Sequence, residues 1–196
     1  MSKLILINGE GKMKIIGILG SARENGNTDR LMKTVMNEPE ANGAETKIYN
    51  LAKMNIKCCL GCDFCKKNDA CVQKDEMVLL YEEMKTADAI VVGTPIYMGD
   101  MSGQLKTFID RCYALKNADR TSKIPAGKKV GIVITQGADI PDHYSKTPEK
   151  IEYIFKGLGC VPVGSVTGIK LHEKDDILKD DAALGKAESV GKLLIE

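Results

Sequence analysis

Strand-like and helix-like segments alternate along this chain, and that alternation limits its folds more than any other feature. Five short apolar runs rich in β-branched residues end in turn-forming residues: Lys14 to Leu19, Glu45 to Leu51, Ala89 to Gly93, Lys129 to Thr135 and Val161 to Gly168. Stretches with helical periodicity separate or follow them, at Thr28 to Met36, Asp75 to Lys85, Gly103 to Lys116, Thr147 to Gly157 and Asp180 to Leu194. A helix between two strands is the usual crossover that makes them parallel. Helices on both faces of a parallel sheet bury both faces, which explains why these strands are continuous apolar runs.

The expected fold class is therefore α/β, a doubly wound five-stranded parallel sheet. For five strands we favour the flavodoxin-like order 2-1-3-4-5, with a ligand at the switch between the first and third strands. At 196 residues and 43% hydrophobic content the chain is read as one domain, residues 1–196. Residues 1–12 form an N-terminal extension, whose run Lys3 to Ile7 reads as an added edge strand or as residues upstream of a start at Met13. Net charge is +1 with the two signs interspersed, so neither nucleic acid nor an anionic membrane is expected as a partner. Apolar runs such as Ala89 to Val92 and Val130 to Ile134 fall far short of the roughly 18 residues of a membrane span. With no secretory apolar segment and with free thiols, the expected location is the cytoplasm.

Residues 57–74 form a cysteine-rich loop inserted between the second strand and the Asp75 helix. Four of the seven cysteines fall within thirteen residues, as Cys59-x-x-Cys62-x-x-Cys65-x5-Cys71, with Cys58 beside the first. Disulfides do not suit a reducing compartment. Structural zinc sites usually pair two knuckles across a longer stretch. Successive two-residue gaps turn sulfurs toward one centre, as in bacterial ferredoxin loops, although no proline follows the last cysteine here. The spacing favours a [4Fe–4S] cluster on Cys59, Cys62, Cys65 and Cys71, with zinc and a metal-free redox-active thiol loop left open. Cys58 breaks the two-residue rhythm and is read as a neighbour.

The loops at the carboxyl ends of the strands carry the remaining chemistry. After the first strand, Ser21, Arg23, Asn27 and Thr28 offer hydroxyls, a cation and an amide at a helix start, where free N–H groups and the dipole favour a phosphate. The same residues also suit an ordinary capped turn. The loop is neither a Walker sequence nor G-x-G-x-x-G, which points to a mononucleotide. After the third strand, Pro95, Ile96, Tyr97, Met98, Gly99, Asp100 and Met101 combine backbone polar groups with flat or soft side chains, as an isoalloxazine ring requires. A capped connection with Tyr97 and Met98 in the core is the simpler reading. Thr135, Gln136 and Gly137 give a third short loop on the same edge. Asp110 and Arg111 are read as a helix-surface or interface ion pair, and His143 as a solvated loop residue.

Three motifs in order carry a resemblance: Gly20-Ser21-x-Arg23-x-x-Gly26-Asn27-Thr28, the cysteine loop, and Pro95-Ile96-Tyr97-x-Gly99-Asp100-Met101-Ser102-Gly103-Gln104-Leu105-Lys106 followed by Phe108-x-Asp110-Arg111. From about Lys14 to Cys160 the chain resembles the iron–sulfur flavoproteins, cluster-bearing relatives of the NADPH-dependent FMN reductases. It departs from that pattern at Lys57-Cys58, where relatives often have proline before the first ligand. The resemblance implies FMN held non-covalently, its phosphate at Ser21, Arg23, Asn27 and Thr28 and its ring against Pro95 to Met101 and Thr135 to Gly137. It implies a flavin-dependent oxidoreductase that moves electrons between a donor such as ferredoxin and a small-molecule or protein acceptor, in a homodimer or homotetramer. The alternative is an NAD(P)H-dependent FMN or quinone reductase without a functional cluster.

Overall fold

The computed structural model describes residues 11–140 and 142–196. The strand-like run Lys3 to Ile7 lies outside the described residues. Strand β1 (Lys14–Leu19) leads into helix α1 (Asn27–Ala41) and strand β2 (Glu45–Asn50). The cysteine-rich segment follows, with a single helical turn α2 (Phe64–Lys67), and then α3 (Met77–Thr86) and β3 (Ala89–Tyr97). A two-residue strand β4 (Asp100–Met101), helix α4 (Gly103–Arg111), β5 (Lys129–Thr135), α5 (Lys146–Lys156), β6 (Val161–Gly168) and α6 (Asp181–Ile195) complete the order.

The sheet path is β2-β1-β3-β5-β6, all parallel, with β4 attached to β3 alone. The parallel strands, counted by themselves, run in the flavodoxin-like order. The sheet nevertheless has six strands rather than five. The extra strand arises because β3 extends beyond Gly93 and turns back on itself. Met98 and Gly99 both take positive φ, 48° and 85°, the conformation of a two-residue hairpin turn whose twist matches its strands. Ile96 then pairs with Met101 and Tyr97 with Asp100, antiparallel. Much of what reads as loop after the third strand is therefore strand and hairpin.

Neighbouring residues of each central strand face opposite layers. Ile16, Ile18, Ile90, Val92, Ile132 and Ile134 pack under α3, α4 and α5 against Leu80, Met84, Phe108 and Phe155. Ile15, Leu19, Val91 and Val133 face α1 and α6, against Leu31, Met32, Val190 and Leu194. Helix α1 runs past Met36 to Ala41 even though Pro39 lies in its last turns. Proline has no N–H to offer the carbonyl four residues back, here that of Val35. Gly191 of α6 sits over that carbonyl, where a Cβ would come within 2.3 Å of the oxygen, so only glycine lets the two helices approach this closely. Helix α4 tightens into a 3-10 turn at Cys112–Leu115, earlier than its periodicity implies.

Candidate functional site

Ser21, Arg23, Asn27, Thr28, Pro95, Ile96, Tyr97, Thr135, Gln136 and Gly137 line one cleft together with Leu171, at the carboxyl ends of β1, β3, β5 and β6. It sits at the switch between β1 and β3, where the connections diverge to opposite sides of the sheet. The enclosed space is about 70 Å³, room for several waters and open at one side. Ser21 and Thr28 are buried, and the Thr28 hydroxyl meets that of Thr135 at 2.6 Å, joining the first and third loops. No side chain caps α1 at Gly26, so the amides of its first turn have no side-chain acceptor. Asp29 places a carboxylate near this turn, but the Asn25 N–H donates to it at 2.8 Å and Lys33 pairs with it at 3.0 Å. Arg23 is exposed on the cleft wall and has no ion-pair partner among the described residues.

Gln136 supplies the clearest sign of a ligand. Its Nε2 donates to the Ile140 carbonyl at 2.8 Å, whereas its buried Oε1 has no partner among the described residues. A buried acceptor left unbonded costs on the order of 1–3 kcal/mol, and a donor on a ligand in the cleft would recover it. The uncapped helix start, the paired hydroxyls and this free acceptor fit the phosphate and polar edge of a flavin mononucleotide.

Several expected residues have other work. The Asn27 side chain donates to the Glu173 carbonyl at 2.8 Å and accepts from the Ile177 N–H at 3.2 Å, so it pins the segment after β6 instead of offering its amide to phosphate. Asp100 turns to α5, bonded to Lys150 at 2.5 Å and facing Thr147 at 3.4 Å. The Lys150 bond, against some opposition from burial, holds its carboxyl below the usual carboxylate range. Met101 is buried in the core under α4, while Met98 at the hairpin tip is fully exposed. Met98 and Gly99 do not line the cleft, although Gly99 lies against the ring of Tyr144. His143 stacks edge-on against the same ring, with centroids 4.5 Å apart.

The segment after β6 is a wall that the sequence reading missed. The Leu171 N–H donates to the Gln136 carbonyl at 3.1 Å and Lys170 to that of Ala138, while the His172 ring covers Gly137. Its only signal in sequence is its place at the end of the last strand, on the same edge as the other loops.

The cysteine segment builds a second site. Cys59, Cys62, Cys65 and Cys71 line one small cavity of about 20 Å³, with Gly61, Arg111 and Tyr113. Cys58 lies apart, its sulfur 3.9 Å from the Thr107 hydroxyl. All seven cysteines are free thiols. Cys112 and Cys160 are buried in the core, and burial pushes the Cys160 thiol up to about 11. Burial also raises the Cys65 thiol, opposed by the neighbouring Lys66 cation. Lys66 in turn holds α2 down by donating to the carbonyls of Tyr113 and Lys116, with its ammonium 3.6 Å from the Tyr113 ring centre.

Arg111 is not a surface residue. Its side chain is buried and forms a two-pronged pair with Asp75, at 2.6 and 2.9 Å, whereas exposed Asp110 pairs with Lys106. Burial opposes the charge on each partner, but their mutual bonds prevail, holding Asp75 below the usual carboxylate range and Arg111 above its ordinary value. Among the described residues no three carboxylate, thiol or imidazole groups converge as a single metal ion would require. Cys59, Cys62, Cys65 and Cys71 do line the same small cavity as Arg111, and thiolates beside a guanidinium are a donor set that suits a thiolate-bound cluster better than a lone hard cation.

Comparison with known proteins places the chain in a family. The family model for NADPH-dependent FMN reductase matches residues 13–169. An iron–sulfur flavoprotein of Methanocaldococcus jannaschii is 32% identical over 94% of this chain and 96% of its own length. A second from that organism is 39% identical over 65% of this chain and 63% of its own length. Among solved structures, an NAD(P)H:quinone oxidoreductase from Methanothermobacter marburgensis superposes with a TM-score of 0.70 at 14% identity, covering 93% of this chain and 98% of the other. An FMN-dependent NADH-azoreductase from Bacillus anthracis gives 0.69 at 13% identity, covering 95% and 100%, and these two likenesses speak to the fold. With a match over most of its length to the family and close likeness to the cluster-named branch, the chain belongs to the iron–sulfur flavoproteins of the NADPH-dependent FMN reductase family and is a flavin-dependent oxidoreductase.

Proposed function

We propose that this protein carries electrons between a donor such as ferredoxin and a small-molecule or protein acceptor, using FMN in the cleft and a [4Fe–4S] cluster on Cys59, Cys62, Cys65 and Cys71. The observation that carries this reading is the gathering of those four cysteines along one cavity, in the segment that follows β2, the strand next to β1. Flavin exchanges electrons in pairs or singly and a cubane cluster exchanges them singly, so together they couple two-electron to one-electron chemistry.

The chain's own part is to bind, orient and insulate. The amides at the start of α1 and the Thr28 hydroxyl would donate hydrogen bonds to a phosphate, and the Arg23 cation would offset its charge. Gln136 offers an acceptor, and Pro95, Ile96 and Leu171 form apolar walls. No side-chain acid or base is assigned. A homodimer or homotetramer in the cytoplasm completes the proposal. No helix of the described residues is long and apolar enough to cross a membrane.

The second reading, an NAD(P)H-dependent FMN or quinone reductase with an empty cysteine loop, draws on the family description and on the lack of a converged single-ion site among the described residues. An anaerobic absorption spectrum with iron and zinc analysis, followed by mixing with reduced ferredoxin or with NADPH, separates the two. Bound iron with rapid reduction by ferredoxin supports the carrier. Iron-free protein that steadily oxidises NADPH supports the reductase.

A further inference from the structure

Arg111 is one of the largest fully buried side chains in the protein, yet it serves the exposed cysteine segment. Its Nη1 donates to the Lys57 carbonyl at 2.7 Å, before the first cysteine, and to Asp75 at 2.6 Å, after the last. Asp75 accepts in addition from the Lys57 N–H at 2.9 Å and the Met77 N–H at 3.2 Å. Both ends of residues 57–75 are thereby tied to one guanidinium on α4. Nη2, besides its bond to Asp75, points at the Cys71 sulfur from 3.6 Å. The buried Nε has no partner among the described residues. A guanidinium placed only to hold a fold would be expected to have its donors satisfied. Here one donor is free and another faces a sulfur in the cysteine cavity. The Arg111 backbone is itself fixed, since its carbonyl accepts from the Tyr81 hydroxyl at 3.0 Å.

We propose that Arg111 is a positioning residue for the cysteine site, closing the cysteine segment as a clamp with Asp75 and directing N–H donors at the Cys71 sulfur and the group it binds. This rests on the reading of Cys59, Cys62, Cys65 and Cys71 as cluster ligands. Two consequences follow. The segment keeps its shape before any metal arrives, because the clamp consists of protein groups alone. N–H donors and positive charge at sulfur stabilise the more negative, reduced form of a thiolate-bound cluster, so Arg111 raises its reduction potential.

Arg111→Lys tests both, since a compact ammonium keeps the charge but cannot fork between Asp75 and Cys71. Arg111→Gln removes the charge, and Asp75→Asn opens the clamp while leaving an acceptor for the Lys57 amide. Amide hydrogen exchange is measured on the reduced, metal-free protein. In Arg111→Lys and Asp75→Asn, exchange across residues 57–77 is expected to quicken about tenfold while β1 and β3 keep their protection. After anaerobic reconstitution with iron and sulfide, the cluster potential should become more negative in Arg111→Lys and more so in Arg111→Gln. Exchange unchanged in residues 57–77, or quickened equally in the central strands, overturns the clamp. Equal potentials in all proteins overturn the donor role. If the wild-type protein takes up no iron, the proposed function fails, and the exchange result alone decides the clamp. If Arg111→Gln does not fold, the lysine and asparagine variants carry the comparison.

Discussion

At the scale of single residues, the cleft separates side chains left open to it from neighbours whose polar groups are already used to hold the fold. Arg23 is exposed on the cleft wall and unpaired among the described residues, whereas Asn27, four residues on, spends both ends of its amide on the backbone of residues 173 and 177. Arg23→Ala should therefore lower FMN affinity and leave the melting temperature near wild type. Asn27→Ala should destabilise the protein by about 1–3 kcal/mol, because two backbone groups lose their partner. Isothermal titration with FMN, alongside thermal melts of both variants, checks this contrast. Equal loss of affinity with no change in melting would return Asn27 to the phosphate site.

Among the elements, the β3-β4 hairpin is the piece that sets where Pro95, Ile96 and Tyr97 line the cleft. Its turn needs positive φ at Gly99, 85°, so Gly99→Val adds strain of about 1–2 kcal/mol at the tip and displaces Pro95 to Tyr97 along the cleft. The expected result is a shifted flavin titration curve, with the central sheet intact by circular dichroism. From the other side the hairpin is fastened by Asp100 to Lys150 of α5. Asp100 has a depressed pKa in the folded protein, so the clamp contributes fully above the usual carboxylate range and is lost as pH falls through the depressed value. Both side chains are nearly half exposed, so solvent screens the effect on overall stability. Flavin retention in wild type should decline in that acidic window, and Asp100→Asn, which has no such charge to lose, should start lower and show a flatter profile. Parallel profiles would rule out Asp100 as the source.

For the whole molecule, the two sites stand on different supports. The cleft is assembled from the ends of β1, β3, β5 and β6, while the cysteine cavity rests on α2, α4 and the 3-10 turn that follows α4. Damage to one should spare the other. Replacing Cys59, Cys62, Cys65 or Cys71 by Ser should abolish bound iron while the flavin bands remain, and Cys58→Ser should change neither. Iron analysis with absorption spectra reads both at once. Iron lost with Cys58 and retained without Cys59 would mean that the ligand register is shifted by one.

What the sequence determined by itself is whatever repeats or clusters locally. Continuous apolar runs and helical periodicity disclosed the parallel α/β sheet and its helices, and the x2-x2-x5 spacing disclosed the cysteine segment. Turn chemistry was only half legible, because Met98 at positive φ is not a residue that advertises a hairpin. The tertiary structure alone decided which polar groups find one another. Arg111 reads locally as a surface partner for Asp110, yet it turns inward to Asp75, 36 positions away. Asn27 reads as a phosphate ligand, yet it bonds a carbonyl 146 positions away. Leu171 enters the cleft only because β6 ends beside β5. Periodicity reports which face of an element is buried, since that depends on neighbours three or four residues off. The partner of a buried charge or amide depends on which distant segment the packed sheet brings within 3 Å or so, and no local pattern holds that information.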